Sequence, residues 1–317
     1  MADFITIDGG TTNTRLTLVK CGRVTDRIKL HLGARLGAYD KSGYRDGIRD
    51  GIAELLQRNC TAESSLEAVI CSGMITSEGG LIELPHIPAP AGIAELSAAL
   101  YKTRLPELSG IPFVFIPGVK LSGAELSETD MMRGEETELY GLCEKPEGST
   151  VYLLPGSHLK IIRTDREGRI RGFSTSLSGE MIAALSEGTI LKGSLDVGGS
   201  GLVGEYLKAG ADYAAKNGIG SALFKVRILD KALGATPDRV YSFFLGAILS
   251  SDREAVLSLP EETVVIGGKA ELKAAFSVLL RDSGKRIITA GDRAADEASA
   301  IGAIRIYEGC SEMGGNS

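Results

Sequence analysis

Residues 8–15, which read DGGTTNTR, carry side chains suited to phosphate and metal chemistry. Asp8 ends an apolar and β-branched run, and Gly9 and Gly10 let the backbone turn tightly and approach a ligand. Backbone N–H groups and the hydroxyl and amide side chains that follow can cradle phosphate, while the Asp8 carboxylate can hold hydrated Mg²⁺. Asp-Gly is also a strong hairpin signal, so an ordinary turn is the alternative interpretation.

A second glycine loop lies at residues 153–160, which read LLPGSHLK. It falls between two strand patterns and presents a glycine, a hydroxyl and the cation of Lys160. Alone it is best explained as a hairpin. With the first loop it gives one phosphate cradle in each half of the chain, which predicts a nucleotide held between two domains.

An acidic segment, TDMMRGEET, occupies residues 129–137. We predict a helix over Met131–Leu142, with Asp130 at its start. A helix N-terminus offers N–H groups and positive potential to an anion. The alternative, of equal weight, is that Asp130 or Thr129 only caps the helix.

Gly267 and Gly268 follow a buried strand pattern over Thr263–Ile266. They could let an adenine or ribose lie against the backbone, or they could form only a tight strand-to-helix connection. A closing helix is predicted from Asp292 to Tyr307, and its small residues at 298–303 suit close packing against another helix.

The elements that position these segments follow from hydrophobic periodicity. Tyr44–Arg58 has the spacing of an amphipathic helix, and Pro85–Pro90 is predicted to be a loop. Strands are predicted at residues 4–8, 15–19, 23–30, 68–71, 113–116, 150–154, 159–164, 169–175, 263–266 and 286–289. Each half has a strand meander followed by helices and more strands, which predicts two α/β domains. We place them at residues 1–130 and 131–292, with residues 293–317 packing back on the first.

Composition excludes several classes of protein. The 35 basic and 41 acidic residues give a net charge of −6, which argues against nucleic acid as a partner. No apolar run is long enough for a membrane span, and the N-terminus lacks the basic region of a signal peptide. Five scattered cysteines without a CxxC pair argue against a zinc site or disulfides and fit a reducing cytoplasm. A homodimer is compatible with the sequence.

Residues 199–204 match the dinucleotide pattern GxGxxG. No strand precedes the match, and no βαβ unit surrounds it, so a nicotinamide oxidoreductase is disfavoured. No Walker loop is present, which excludes a P-loop kinase.

Five stretches together resemble the 2-dehydro-3-deoxygalactonokinase family, within the superfamily of acetate and sugar kinases, chaperones and actin. They are residues 8–15, 72–75 with 83–91, 130–137, 153–160, and 173–175 with 178–180. The resemblance implies two actin-like (ribonuclease H-like) α/β domains with a nucleotide cleft between them. It also implies transfer of the ATP γ-phosphate, with Mg²⁺, to the 6-hydroxyl of 2-dehydro-3-deoxy-D-galactonate. Another sugar or sugar-acid kinase of the superfamily, or a chaperone-like regulatory ATPase, is the alternative.

Under this hypothesis Asp130 is the general base and Asp8 holds Mg²⁺. The expected nucleotide-binding residues are Asp8, Gly10, Thr11, Thr12, Asn13, Gly156, Ser157, His158, Lys160, Gly267 and Gly268. The expected substrate residues are Arg15, Gly73, Met74, Ser77 and Arg133. Arg133, one turn into the predicted helix, or Arg15 would meet the substrate carboxylate. Arg133 could equally be a structural ion-pair partner of nearby acids.

Overall fold

The computed structural model describes residues 2–142, 148–195 and 201–313, with side chains up to residue 309. These residues form two units. The first unit contains residues 2–142, Glu167–Gly172 and the described residues from Arg293 onward. The second unit contains residues 148–166 and Phe173–Asp292.

Residues 2–142 of the first unit form nine strands and four α-helices. The strands are β1 (Asp3–Gly9), β2 (Thr14–Lys20), β3 (Arg23–Leu30), β4 (Leu66–Gly73), β5 (Ile87–Pro88), β6 (Tyr101–Thr103), β7 (Phe113–Phe115), β8 (Val119–Leu121) and β9 (Asp130–Met132). The helices are α1 (Ala34–Gly37), α2 (Lys41–Arg58), α3 (Ile93–Ala98) and α4 (Glu135–Leu142). Six strands form one sheet in the order β3-β2-β1-β4-β7-β6, and the others form a small sheet in the order β5-β8-β9.

Strand β1 lies in the interior of the larger sheet, antiparallel to β2 and parallel to β4. Its apolar residues Ile5 and Ile7 are fully buried, as are Ile48 and Ile52 of α2. The register places Asp8 opposite Arg15 on β2, and Gly9 opposite Gly73 on β4. The core therefore fixes the end of β1, where the first glycine loop begins.

The small sheet corrects two predictions. Part of the proline-rich segment, Ile87–Pro88, is a strand paired with β8 rather than loop. Residues 130–132 pair antiparallel with β8, so the helix predicted from Met131 begins only at Glu135. Gly134, with φ of +115°, turns the chain between strand and helix, a conformation that L side chains rarely adopt. Asp130 is thus a strand residue and does not cap a helix.

The second unit is built on a five-stranded sheet in the order β12-β11-β10-β13-β14. Its strands are β10 (Thr150–Leu154), β11 (Leu159–Thr164), β12 (Ile170–Ser176), β13 (Thr263–Ile266) and β14 (Arg286–Thr289). Its helices are α5 (Ser178–Gly188), α6 (Lys192–Leu195), α7 (Gly204–Asn217), α8 (Ile219–Arg227), α9 (Pro237–Ser258) and α10 (Ala270–Leu279). The predicted meander and both later strands are confirmed. The GxGxxG match begins at residues 199 and 200, which lie outside the described residues.

The last helix, α11 (Asp292–Met313), packs on α4 through small residues. A Cβ on Gly302 would lie 1.8 Å from the Thr137 carbonyl oxygen, and one on Gly141 would lie 1.8 Å from the carbonyl oxygen of Ala298. The predicted close packing of this helix is confirmed.

The boundary predicted at residue 130 differs from the observed division. Residues 131–142 belong to the first unit because β9 pairs with β8 and α4 packs on α11. The segment Glu167–Gly172 also belongs there, where Ile170 forms a bridge with Ala91. Across the described ranges, no helix has the length and apolar character needed to cross a membrane.

Candidate active site

The loop between β1 and β2 is a tight turn with outward-facing donors. Gly10 N–H donates to the Asn13 carbonyl at 2.8 Å, and a Cβ on Gly10 would lie 2.9 Å from that oxygen. Within the described parts of the chain, no acceptor meets the N–H groups of Thr11, Thr12 or Asn13. Thr11 and Thr12 are exposed. Consecutive unsatisfied N–H groups of this kind suit an anion such as phosphate.

Asp8 stands beside this loop with 33% of its side chain exposed. Burial of the rest raises the pKa of the carboxyl group; Arg15 opposes the shift, Glu135 adds to it, and a hydrogen bond with Ser299 opposes it. The Arg15 guanidinium is 3.9 Å from the carboxylate. No cluster of three potential metal ligands occurs among the described residues. Mg²⁺ is commonly held by one or two carboxylates and substrate phosphates, so an accessible carboxylate beside a phosphate cradle fits the ion.

Close glycine contacts bring the start of α4 to Asp8. A Cβ on Gly73 would lie 2.4 Å from the Gly9 carbonyl oxygen and 3.2 Å from Asp8 Oδ1. A Cβ on Gly134 would lie 3.1 Å from Gly73 Cα. Glu135 is the next residue, and its charge raises the pKa of Asp8, a role that was not predicted from the sequence. The sequence pattern that could have indicated Glu135 is a glycine followed by two acids, which is typical of a turn into a helix.

Glu136 is a second acid that sequence reasoning missed. It is fully buried, and both carboxylate oxygens accept from Gly134 N–H, at 2.8 and 2.9 Å. Burial raises the pKa of Glu136 to about 8, and the nearby Glu135 adds to the rise. Backbone hydrogen bonds and Arg133 oppose it. Glu136 is therefore mostly protonated at neutral pH and holds the strand-to-helix turn.

Arg133 lies just before α4, so the prediction that it sits one turn into the helix is wrong. Its Nη1 donates to the carbonyl and hydroxyl oxygens of Thr76, at 2.7 and 2.6 Å. Its Nη2 donates to the Leu84 carbonyl at 2.9 Å and to His86 Nδ1 at 3.2 Å. Burial lowers the pKa of Arg133, and acidic neighbours oppose this. The guanidinium therefore ties the turn after β4 to the segment before β5.

Three more residues predicted to contact substrate, Gly73, Met74 and Ser77, fall in or near that turn, whereas Arg15 lies on β2. Gly73 ends β4, Met74 begins a single 3₁₀ turn, and the Ser77 hydroxyl donates to the Met74 carbonyl at 2.6 Å. A Cβ on Gly9 would lie 2.6 Å from Ile75 N, so this turn packs against the end of β1. The turn that holds Gly73, Met74 and Ser77 is therefore packed against the end of β1, where the first glycine loop begins.

Asp130 is placed differently from the acids of α4. It is half-buried at the start of β9, opposite Leu121, and its Oδ1 accepts from Met131 N–H at 2.6 Å. Glu135, rather than Asp130, is the acid that raises the pKa of Asp8.

In the second unit, the loop between β10 and β11 also presents backbone donors. Across the residues described, the N–H groups of Gly156, Ser157 and His158 have no acceptor. The first turn of helix α5 packs against the carbonyl groups of this loop. Glu180 N–H donates to the Ser157 carbonyl at 3.1 Å, and a Cβ on Gly179 would lie 2.0 Å from the Gly156 carbonyl oxygen. The loop is therefore held by its carbonyls, which leaves its N–H groups for a ligand.

The predicted adenosine residues meet this loop. Gly268 has φ of +71°, and a Cβ there would lie 2.3 Å from the Pro155 carbonyl oxygen. Gly267 N–H donates to the Leu153 carbonyl at 2.9 Å. His158 Nε2 lies 3.1 Å from the Glu180 carboxylate. Five of the predicted nucleotide residues, Gly156, Ser157, His158, Gly267 and Gly268, thus lie in this loop or next to it.

Lys160, one of the expected nucleotide-binding residues, is a buried cation. It is 4% exposed, its Nζ donates to the Thr175 hydroxyl at 2.5 Å, and the ammonium lies 5.9 Å from the ring centre of Phe173. Its charge therefore lies within the unit.

A buried acid supports the start of α5. Ser178, the first residue of α5, donates its hydroxyl to Asp252 of α9 and lies 3.0 Å from the Ser176 hydroxyl. Burial raises the pKa of Asp252, while hydrogen bonds with Ser178 and Ser176 oppose the shift. Asp252 thereby anchors helix α5, which packs against the loop between β10 and β11.

Comparison with known proteins decides the family. The sequence model of the 2-keto-3-deoxy-galactonokinase family matches residues 8–306. The chain belongs to this family. Its members are named as kinases of a sugar acid, so the sequence-based assignment to 2-dehydro-3-deoxygalactonokinases is confirmed.

One relative is a protein of Rhizobium meliloti (strain 1021) whose name gives 2-dehydro-3-deoxygalactonokinase as its probable activity. It is 30% identical over 190 residues, which cover 59% of this chain and 58% of the relative. The chain thus matches little more than half the length of that relative.

Two solved structures share the fold. A Sinorhizobium meliloti structure named for the same kinase activity has a TM-score of 0.76 and 23% identity, covering 96% of this chain and 97% of its own. An activator of 2-hydroxyisocaproyl-CoA dehydratase from Clostridium difficile, with bound ADPNP, has a TM-score of 0.53 and 12% identity, covering 99% and 98%. The fold is therefore that of actin-like ATPases and sugar kinases, as predicted.

Proposed function

We propose that this chain transfers the γ-phosphate of ATP to the 6-hydroxyl of 2-dehydro-3-deoxy-D-galactonate. Family membership supports the reaction class. The observation that carries the proposal is the loop after Asp8, where the N–H groups of Thr11, Thr12 and Asn13 lie unsatisfied beside a partly exposed carboxylate. Phosphoryl transfer depends mostly on positioning and charge stabilisation, which this arrangement supplies.

Each glycine loop is proposed to bind phosphate. In the first unit, Gly10, Thr11, Thr12 and Asn13 bind phosphate oxygens through backbone N–H and hydroxyl groups. In the second unit, Gly156, Ser157 and His158 have the same proposed role. Gly267 and Gly268 border the adenosine. Lys160 contributes through the packing of β11 and β12, because its ammonium is held by Thr175.

Asp8 is the proposed ligand of Mg²⁺, held through water, with Glu135 adding negative charge to the same place. When bound, the ion would neutralise charge on the transferring phosphate. Arg15 and Ser299 fix the Asp8 carboxylate, since both interact with it.

Asp130 is the proposed general base, which accepts the proton of the attacking hydroxyl. Glu135 is the competing residue for this role because it is the acid that interacts with Asp8. Gly73, Met74 and Ser77 are proposed to border the sugar acid, and Arg133 holds their turn through Thr76.

The decisive experiment is an ATP-coupled assay over a panel of 2-dehydro-3-deoxy sugar acids, sugar acids and neutral sugars, with the phosphorylated carbon located by NMR. We expect turnover on the 2-dehydro-3-deoxy acid with phosphate on C6. Preference for a neutral sugar would indicate another sugar kinase. ATP hydrolysis that no acceptor stimulates would indicate a regulatory or chaperone-like ATPase. D8N serves as the inactive control.

A further inference from the structure

A shallow cavity of about 350 Å³, largely open to solvent, lies on the surface of the first unit beside the β1–β2 loop. Its lining includes Thr11, Thr12, His31, Arg35, Leu36 and Tyr39. The volume lies within the range of small-molecule sites, roughly 300–1,000 Å³. The cavity therefore shares a wall with the proposed phosphate cradle and has room for a small polar ligand.

The wall that carries Arg35 is fixed to the phosphate loop. Ala34 N–H donates to the Gly10 carbonyl at 3.1 Å, and Arg35 N–H donates to the Thr11 carbonyl at 3.0 Å. A Cβ on Gly33 would lie 2.5 Å from the Gly10 oxygen, so only glycine permits this approach. The base of the Arg35 side chain thus has a defined position relative to Thr11.

The charge of Arg35 is available to a ligand. Among the residues that the structure describes, Arg35 has no ion-pair or hydrogen-bond partner for its guanidinium. The two arginines that the sequence suggested for the substrate carboxylate are engaged: Arg15 faces Asp8, and Arg133 bonds Thr76. A guanidinium group binds a carboxylate through two parallel hydrogen bonds, which a lysine cannot do.

The remaining lining suits the rest of a deoxy sugar acid. His31 Nδ1 lies 3.1 Å from Asn13 Oδ1, and Asn13 Nδ2 donates to the Thr12 hydroxyl at 2.9 Å, which forms a polar chain along one side. Leu36 and Tyr39 are 39% and 88% exposed, unusual for such side chains, and offer apolar surface on the other side. The hydroxyl groups of a deoxy sugar acid can therefore contact the polar side of the cavity, and its CH₂ group can contact the apolar side.

We propose that this cavity binds the carboxylate end of the sugar acid and that Arg35 is the counter-charge of the carboxylate, while Gly73, Met74 and Ser77, outside this lining, border the rest of the acid. The inference rests on the proposed function and adds a substrate-binding residue that determines specificity for acids over neutral sugars.

The test compares Arg35→Gln with Arg23→Gln, which changes an exposed arginine at the start of β3 in the same unit. For R35Q we expect the KM for the 2-dehydro-3-deoxy acid to rise roughly 10- to 100-fold, the loss of a charged hydrogen-bonded pair. The KM for ATP should stay within about twofold. R23Q should match the unmodified protein in both constants. Circular dichroism and thermal melting check that both variants are folded.

A second readout separates charge from packing. With the uncharged carboxamide analogue as acceptor, R35Q and the unmodified protein should have the same KM, and calorimetric titration of the acid without nucleotide should show the same loss in R35Q. An unchanged KM for the acid, or an equal rise in the KM for ATP, would overturn the role of Arg35 alone. No turnover of any sugar acid by the unmodified protein would overturn the proposed function and this inference together.

Discussion

Arg133 and Thr76 are joined by two hydrogen bonds from one guanidinium nitrogen, to the carbonyl oxygen at 2.7 Å and to the hydroxyl oxygen at 2.6 Å. Thr76 itself is fully buried, and its hydroxyl also donates to the Gly73 carbonyl at 3.0 Å. The pair therefore links the turn after β4 with the segment that leads into α4. These are the two segments whose glycines meet beside Asp8.

Replacing Arg133 by Met should destabilise the fold. The change leaves the Thr76 and Leu84 acceptors without their donor, and a loss of about 2–4 kcal/mol in the free energy of unfolding is expected. Urea unfolding measures this loss, with R23Q as the control. Unchanged stability together with a large rise in the KM for the sugar acid would instead assign Arg133 to the substrate carboxylate.

Asp130→Asn and Glu135→Gln should affect catalysis differently. Loss of a general base lowers kcat by about 10²–10⁴-fold, so D130N should lose turnover while the KM for ATP stays near normal. E135Q should instead raise the Mg²⁺ concentration needed for half-maximal rate, because it removes negative charge beside Asp8. Steady-state kinetics at several Mg²⁺ concentrations separate the two effects. If E135Q loses turnover at saturating Mg²⁺ and D130N does not, Glu135 is the base.

Glu136 should make stability fall as the pH rises. Its pKa is raised from an ordinary value of 4.5 to about 8 in the folded chain. Between these pH values Glu136 keeps its proton in the folded protein but has lost it in the unfolded chain. The contribution of Glu136 to the free energy of unfolding, which is complete below pH 4.5, is therefore lost as the pH rises toward 8. The slope for one such group is at most about 1.4 kcal/mol per pH unit.

Glu136→Gln should flatten this part of the pH dependence, since glutamine does not ionise. Urea unfolding between pH 5 and 8, a range that lies between the unfolded and folded pKa values of Glu136, measures this slope. Glu54→Gln, on the exposed face of α2, is the control. Carbon-13 NMR of the glutamate carboxyl groups should show one signal titrating near pH 8 that E136Q lacks. Equal slopes and no such signal would contradict the assignment.

Gly302→Ala should weaken the packing of α11 on α4. The new Cβ would overlap the Thr137 carbonyl at 1.8 Å, and backbone cannot move aside as a side chain can. A loss of about 1–3 kcal/mol or more is expected. Thermal unfolding measures it. Gly220→Ala in α8 has no atom within 4 Å of its Cβ, so it should be neutral or slightly stabilising. Equal effects of the two changes on thermal stability would show that α11 and α4 can accommodate the extra methyl group, which would contradict the prediction.

Much of the fold could be predicted from the sequence because the strands and the two glycine loops carry local signals. Apolar and alternating residue patterns marked β1 and β2, and the family motifs marked both glycine loops. The start of α4 could not be predicted, since it depends on the positive φ of Gly134 and on pairing of Asp130 with Leu121.

The candidate site was less predictable than the fold. The partners of Arg133 lie at Thr76, Leu84 and His86, distant in sequence, so no local pattern indicates them. Arg35 was not predicted as a binding residue because it lies in no recognisable motif; its candidate role follows from its position in the cavity lining. Lys160 lies in a strand, as predicted, but neither its burial nor its hydrogen bond to Thr175 follows from its position in the sequence.

The first unit is discontinuous, and its last piece begins at Arg293. During translation, residues up to 142 are made early, yet Thr137 and Gly141 gain their packing partners, and Asp8 gains Ser299, only when α11 has been synthesised. A nascent chain halted after α10 therefore lacks a finished Asp8 site, however well its sheet has formed. Ribosome-stalled chains of increasing length should acquire protease resistance in this unit only after α11 has left the exit tunnel.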